Sequence, residues 1–331
     1  MMLSILKFVG WTVIWLAALV YVLWAAGALY FDFPVAALRR PAAIIFLLVI
    51  LGGVIFVPTG IQKLAAVLVC LAAVTVWWLS LKPSNDRPWQ PDVVQTAWAE
   101  MNGDQITLHN VRNCDYRTET DYTAQWETRQ IRLSQITGVD LAVDYWGSPY
   151  IAHPIASFQF TDAPPICFSI ETRKEVGETY SAVGGLYRQY ELIYICADER
   201  DVLRVRTNYR KAEDVYLYRI SASPEKARER FVQYLTTLNS LRDRPRWYNA
   251  ATTNCTTSIR AQNPTNQRIP WDWRILFNGK GDEMLYERHA IATGGLSFPE
   301  LKQRSLINDA AHRADQDLDF SRRIREGLPW F

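Results

Sequence analysis

The sequence predicts three membrane-spanning helices followed by one α+β domain. Three observations predict it. Long apolar runs fill the first eighty or so residues. Several later segments are short, rich in β-branched and aromatic residues, and alternate in polarity. Helix start signals are interleaved with them, the clearest being Ser223-Pro224.

The spans come first. Ile5 to Phe31 is nearly continuous apolar sequence, broken by Lys7 near one end, where a long side chain reaches the interface. Ala42 to Pro58 and Ile61 to Leu81 are the second and third spans. Only Pro58-Thr59-Gly60 separates them, which predicts an antiparallel hairpin. The first run is longer than the apolar region of a signal peptide, and no A-x-A-like site with polar sequence follows it, so it reads as a retained span. Residues 1–82 thus form a membrane anchor and 83–331 a second unit, long enough to bury a core of its own.

Of 36 basic and 34 acidic residues, five and one lie before residue 83. The remainder is near neutral and well mixed, which gives no electrostatic reason to bind nucleic acid. Lys7 and Lys63 fall on one side of the spans, and Arg39, Arg40 and Lys82 on the other. Charge alone therefore does not choose the side of the domain.

Residues 82–94, rich in Pro, Asn and Asp, read as an extended exit from the membrane. Strands are expected at Gln105–Val111, Gln130–Leu133, Val139–Tyr145, Ile151–Phe160, Ile166–Thr172, Glu191–Cys196 and Asp214–Ile220. In Ile151–Phe160, alternation puts Ala152, Pro154, Ala156, Phe158 and Phe160 on one face. Ile151, His153, Ile155, Ser157 and Gln159 fall on the other. Helices are expected at Thr179–Arg188 and Glu199–Thr207. The next starts at Ser223 with a stripe of Ala227, Phe231, Tyr234, Leu235 and Leu238. Further helices are expected from Asn254 and at Trp271–Phe277, Pro299–Arg313 with Ser297 as cap, and Asp317–Gly327.

Five cysteines and four histidines occur, at spacings that match no metal pattern. No metal or cofactor is expected. Cys255 stands in Thr253-Asn254-Cys255-Thr256-Thr257. With Asn254 as cap, it occupies a first helical turn, where the dipole and free amides favour a thiolate and can receive an oxyanion. A small buried residue at a helix start is the commoner role for a cysteine. A thiol nucleophile needs a base, and His153, held on a strand, is the first candidate, with His109 second. A core histidine satisfied by its neighbours is the bland reading. Glu171 would orient the imidazole if Ile151–Phe160 and Ile166–Thr172 pair as a hairpin; a surface carboxylate near Arg173 and Lys174 is the ordinary reading. Cys167 and Cys196 are either a disulfide or two buried thiols.

A resemblance adds to this. The segments that carry it begin with Ala152-His153-Pro154-Ile155-Ala156-Ser157-Phe158, Ser169-Ile170-Glu171-Thr172-Arg173-Lys174-Glu175 and Tyr190-Glu191-Leu192-Ile193-Tyr194. Asp198-Glu199-Arg200-Asp201-Val202, Arg206-Thr207-Asn208, Val215-Tyr216-Leu217-Tyr218, Tyr248-Asn249 and Asn254-Cys255-Thr256-Thr257 follow. Together, over roughly residues 85–265, they resemble the family of the Lnb N-terminal periplasmic domain, named for the Bacteroidetes-type lipoprotein N-acyltransferase.

The resemblance implies a periplasmic domain on the bacterial inner membrane and a circularly permuted papain-like fold, with Cys255 as nucleophile and His153 as base. It further implies acyl transfer from a phospholipid donor to the α-amine of a lipoprotein acceptor. A thiol hydrolase or amidase on peptide or cell-wall bonds, or an envelope binding domain without chemistry, are the alternatives. The three spans precede the domain, whereas the family name refers to a domain at the amino terminus, and a shared domain does not guarantee a shared substrate.

Overall fold

A computed structural model describes residues 2–262, 268 and 270–331 of the chain. It divides into two units, 1–84 with 180–191, and 85–179 with 192–331.

The first unit holds α1 (Met2–Asp32), α2 (Arg39–Phe56) and α3 (Gly60–Ser80), each long and apolar enough to cross a membrane. Thr59 caps α3, its side chain accepting from the Gln62 amide, so the turn after α2 closes within three residues. Ala25, Ala28, Val67 and Leu71 meet between the helices, where small residues let backbones approach.

Residues 180–191 complete this unit. A helix expected at Thr179–Arg188 is absent. The segment has one 3₁₀ turn, Gly184–Leu186, and is held by the membrane helices instead of by its own periodicity. Tyr187 stacks on Phe31 with ring centres 5.1 Å apart and lies where any side chain on Gly27 would sit.

The second unit is a mixed sheet with helices on both faces, the α+β arrangement expected. Its strands are β1 (Trp98–Asn102), β2 (Gln105–Arg112), β3 (Asp115–Tyr116), β4 (Tyr122–Thr123), β5 (Trp126–Arg132) and β6 (Ile136–Trp146). They continue with β7 (Ala152–Phe160), β8 (Ile166–Arg173), β9 (Glu191–Ala197) and β10 (Glu213–Arg219). The order is β1-β2-β9-β8-β7-β6-β10, with β5 also on β2 and β3–β4 a separate pair. β6, β7 and β8 are antiparallel neighbours, in a register that sets Ile155 opposite Ser169.

The helices follow from their caps. α4 (Glu199–Val202) is capped by Asp198 and runs into a π-helical turn, Val205–Tyr209. α5 (Pro224–Asp243) starts at Ser223 and buries all five stripe residues named above. α6 (Cys255–Gln262), α7 (Gly281–Glu287), α8 (Phe298–Arg304), α9 (Asn308–Arg313) and α10 (Phe320–Arg323) complete the unit. A capping box between Ser297 and Glu300 starts α8. The single helix expected over Pro299–Arg313 breaks at Ser305–Ile307, where backbone bonds go to β10 instead: Leu217 N–H to Ser305 O, and Ile307 N–H to Val215 O. Only Phe320–Arg323 of the expected Asp317–Gly327 helix forms, and Trp271–Phe277 is reduced to a 3₁₀ turn at Trp273–Ile275.

The two sheet faces bury different sets. On one, Phe158 and Phe168 pack on Phe231 and Tyr234 of α5. Truncating Phe231, fully buried, to Ala costs about 3–5 kcal/mol. On the other, Ile155, Cys167, Ile193 and Ile195 meet Val202 and Leu203 of the α4 region and Ile307, Ala311, Phe320 and Ile324 of the C-terminal helices. Cys167 and Cys196 are separate buried thiols. Cys167 belongs to this second face, from which Cys196 alternates away between Ile195 and Ala197.

Candidate active site

Cys255 is the first residue of α6. Asn249 builds the approach: its side-chain oxygen accepts from the amides of Ala251 and Thr252, and its backbone pairs with Thr253. Asn254 then caps the helix. Its Oδ1 accepts from Thr257 N–H at 2.9 Å and its carbonyl from Ser258 N–H at 2.9 Å. The Cys255 Sγ lies 3.5 Å from Asn278 Nδ2 and 3.7 Å from Thr256 Oγ1.

The expected thiolate is not favoured. Burial pushes the Cys255 thiol above its ordinary value, and hydrogen bonds from Thr256 and Asn278 offset only part of this. Desolvation wins over the short helix because the residue is only 7% exposed.

His153 and Glu171 do come together. The β7–β8 register, continued two residues, sets them opposite each other. Ser169 Oγ donates to Glu171 Oε1 at 2.6 Å and lies 2.6 Å from His153 Nε2. A hydroxyl has one proton, so Nε2 is the donor to Ser169 and the imidazole is the Nε2–H tautomer. Burial, with the Arg206 charge next, brings the His153 pKa down to about 3. Glu171 is half-buried, but Arg206, 2.9 Å from it, holds its carboxyl well below the usual range. The second Arg206 contact is Asp144 Oδ2, 3.1 Å from its Nε.

The structure does not bring this group to Cys255. His153 shares a strand face with Ile155, which packs under α4 and the C-terminal helices. Pro154 and Ala156 face the other way and line a cavity with Thr256 and Ile259 of α6. The sheet therefore lies between His153 and the thiol. Local alternation was legible in the sequence; the face that α6 would cover was not.

Residues 122–279 match the family model of the Lnb N-terminal periplasmic domain. This part of the chain is similar to that family. The Lnb-type domain and the three apolar helices make the protein an inner-membrane protein with a periplasmic domain. No curated protein and no solved structure matches the chain.

The match includes His153, Glu171 and Cys255, and ends one residue after Asn278, a site residue that sequence reasoning missed. Asn278 opens a 3₁₀ turn. Its Oδ1 accepts from Ala152 N–H at 2.9 Å, while Nδ2 faces Cys255 Sγ and lies 3.2 Å from Thr256 Oγ1. Gly279 permits this approach, since a Cβ there would lie 2.5 Å from the Pro149 carbonyl oxygen. No periodicity or motif marks an asparagine 23 residues beyond the cysteine.

The cavity beside Cys255 in the Lnb-type domain measures about 340 Å³. Its wall is mainly apolar: Leu141, Val143, Ile220, Tyr234, Ile259 and Met284 contribute to it. Thr256 and Asn278, both in contact with Sγ, lie on the same wall. Of the other histidines, His109 stacks on Trp98 with ring centres 3.9 Å apart, and His312 bonds the Thr207 carbonyl. Among the described residues no cluster of His, Cys, Asp and Glu has the geometry to hold a metal ion.

Proposed function

We propose that this protein is a membrane-anchored thiol acyltransferase in which Cys255 carries the acyl group. One observation carries the reading: the Cys255 sulfur stands in a capped first turn, against an amide donor, beside an apolar cavity whose wall its own contacts share. A thiol enzyme that holds a fatty chain needs a sulfur, an oxyanion donor and an apolar volume together.

In the first step Sγ attacks the carbonyl carbon of a phospholipid ester. The S–C bond forms, the ester C–O bond breaks, and the thiol proton passes to the departing alcohol of the lysophospholipid. In the second step the α-amine of a lipoprotein's terminal cysteine attacks the thioester. The C–N bond forms, the S–C bond breaks, and one amine proton returns to sulfur. The Asn278 Nδ2–H and the free amides of the first turn of α6 receive the oxyanion in both steps.

His153 and Glu171 have the electronic form the family resemblance would ask of a base and its orienting carboxylate. Nε2 is committed toward Ser169 and Glu171, and Nδ1 keeps its lone pair. The order His153 before Cys255 is also that of circularly permuted papain-like enzymes. A part in proton transfer requires the imidazole to reach the thiol's side of β7.

The test incubates the full-length protein with a phospholipid bearing a labelled acyl chain and maps the label by peptide mass spectrometry. A hydroxylamine-labile adduct on Cys255, lost in Cys255→Ala and discharged by a diacylglyceryl-cysteine peptide, supports the reading. Transfer that persists in Cys255→Ala overturns it. His153→Gln belongs in the same experiment: loss of the adduct puts the imidazole in the reaction, and retention assigns it to stability.

A further inference from the structure

Two loops of the Lnb-type domain end in an apolar surface that its fold does not cover. Trp271, Trp273 and Phe277 are 60%, 54% and 53% exposed, and Leu276 beside them is exposed too. Trp273 and Phe277 form a ring pair with centres 6.0 Å apart. The neighbouring loop adds Tyr150 and Ile151, also exposed. The two loops are joined, because Gly279 N–H donates to the Tyr150 carbonyl and Asn278 holds the Ala152 amide. Six large apolar side chains in one place exceed the scattered exposure that soluble surfaces tolerate.

Cations outnumber anions around this patch: Arg260, Arg274 and Arg288 stand against Asp272 and Glu287. Arg260 lies over the Trp271 ring at 5.7 Å. Asp272 is matched by Arg274 at 3.0 Å and Arg288 at 3.3 Å. Aromatic rings with a cation at their rim suit the headgroup level of a bilayer that contains anionic lipid. The same segment reaches inward, since Ile275 and the adjoining Asn278 line the cavity beside Cys255.

We propose that the loops 150–151 and 271–277 dip into the surface of the membrane that anchors the chain, and that lipid enters the cavity along them. The occupant is a phospholipid bilayer with anionic headgroups. The three apolar helices tether the chain to such a bilayer. Contact with lipid stands on this patch and the spans; entry of an acyl chain rests in addition on the reading of Cys255.

The experiment uses the full-length protein in nanodiscs of phosphatidylcholine and phosphatidylglycerol carrying a phospholipid with a diazirine in its acyl chain. After irradiation, adducts are expected on peptides containing 271–277 and 150–151 as well as on the three spans. The triple variant Trp271→Ser, Trp273→Ser, Phe277→Ser should lower the loop adducts at least fivefold and leave span adducts unchanged. Trp271→Ser alone, at the most exposed of these positions, should lower them measurably with the fold intact. Omitting phosphatidylglycerol should reduce loop adducts and not span adducts.

Adducts confined to the spans overturn the proposal, as do loop adducts indifferent to the substitutions or loop-to-loop crosslinks between two copies in place of lipid. Cys255→Ala is expected to keep the loop adducts, so failure of the acyl-transfer reading and failure of this one leave different records.

Discussion

Asn278 joins Cys255 to the first residue of β7: its Nδ2 lies 3.5 Å from the Cys255 sulfur while its Oδ1 accepts from the Ala152 amide at 2.9 Å. The side chain is thus fixed at both ends, which makes its N–H a preorganised donor at the point where charge would develop. Asn278→Ala removes that donor. Acyl transfer is expected to fall about 10²-fold, the usual effect of deleting one oxyanion donor. Single-turnover thioester formation checks it, and an unchanged rate rejects the assignment.

Burial of Cys255 has a second consequence. Its thiol is held above the ordinary value of 9.0, so the folded protein keeps it protonated at neutral pH. Alkylation by iodoacetamide should be slower than for a free cysteine and should rise with pH beyond 9. Asn278→Asp should shift this profile further up, since a carboxylate beside the sulfur opposes the thiolate. Site-resolved mass spectrometry reads both, and fast labelling of the wild type at pH 7 contradicts the geometry.

His153 gives the fold an acid-side weakness. Its folded pKa is about 3 against an ordinary 6.5. The unfolded chain binds the proton first, so this stabilisation is fully present above 6.5 and is lost as pH falls toward 3. The groups facing it are Glu171, Arg206, Arg210 and, through Arg206, Asp144. Glu213, raised to about 8 by burial and by the Asp144 charge, works in the opposite sense: its contribution is present below 4.5 and is lost toward 8. Thermal midpoints from pH 7 to 4.5 should therefore fall more steeply for the wild type than for His153→Gln, by on the order of 2 kcal/mol at pH 4.5. Parallel curves would show that the imidazole titrates normally.

These residues mark how much the sequence discloses. Alternation in Ile151–Phe160 places His153 opposite Pro154 and Ala156, and the structure keeps that division. Asn254 and Ser223 are legible as caps because the preference is local. What is not legible is long-range. Nothing local says that α6 lies on the face of Pro154 instead of that of His153, or that a 3₁₀ turn brings Asn278 to the sulfur. Trp98–Asn102 is missed as a strand because Ala, Glu, Met and Asn give it little β character; its pairing with β2 supplies the order. The helix expected at Thr179–Arg188 fails for a similar reason, since its partners lie more than a hundred residues earlier.

That segment yields the last prediction. Asp32, at the end of α1, accepts from the Arg188 backbone amide at 3.1 Å and from Trp78 Nε1 at 2.6 Å. Arg188 in turn lies over the Trp78 ring at 4.0 Å and donates to the carbonyls of Trp78 and Leu81. One carboxylate therefore ties residues 180–191 to the ends of two membrane helices. Asp32→Ala removes two hydrogen bonds to a charged acceptor, worth about 1.5–3 kcal/mol each. Amide exchange across 180–191 should accelerate at least tenfold in nanodiscs, with 192–262 unaffected. Asp32→Asn keeps an oxygen acceptor and should give a smaller change. Gly27→Ala is the steric counterpart: its Cβ would occupy the position of the Tyr187 hydroxyl, so the same segment should loosen although the carboxylate is intact. If exchange in 180–191 is unmoved by both Asp32→Ala and Gly27→Ala, the segment is held by something other than these helices.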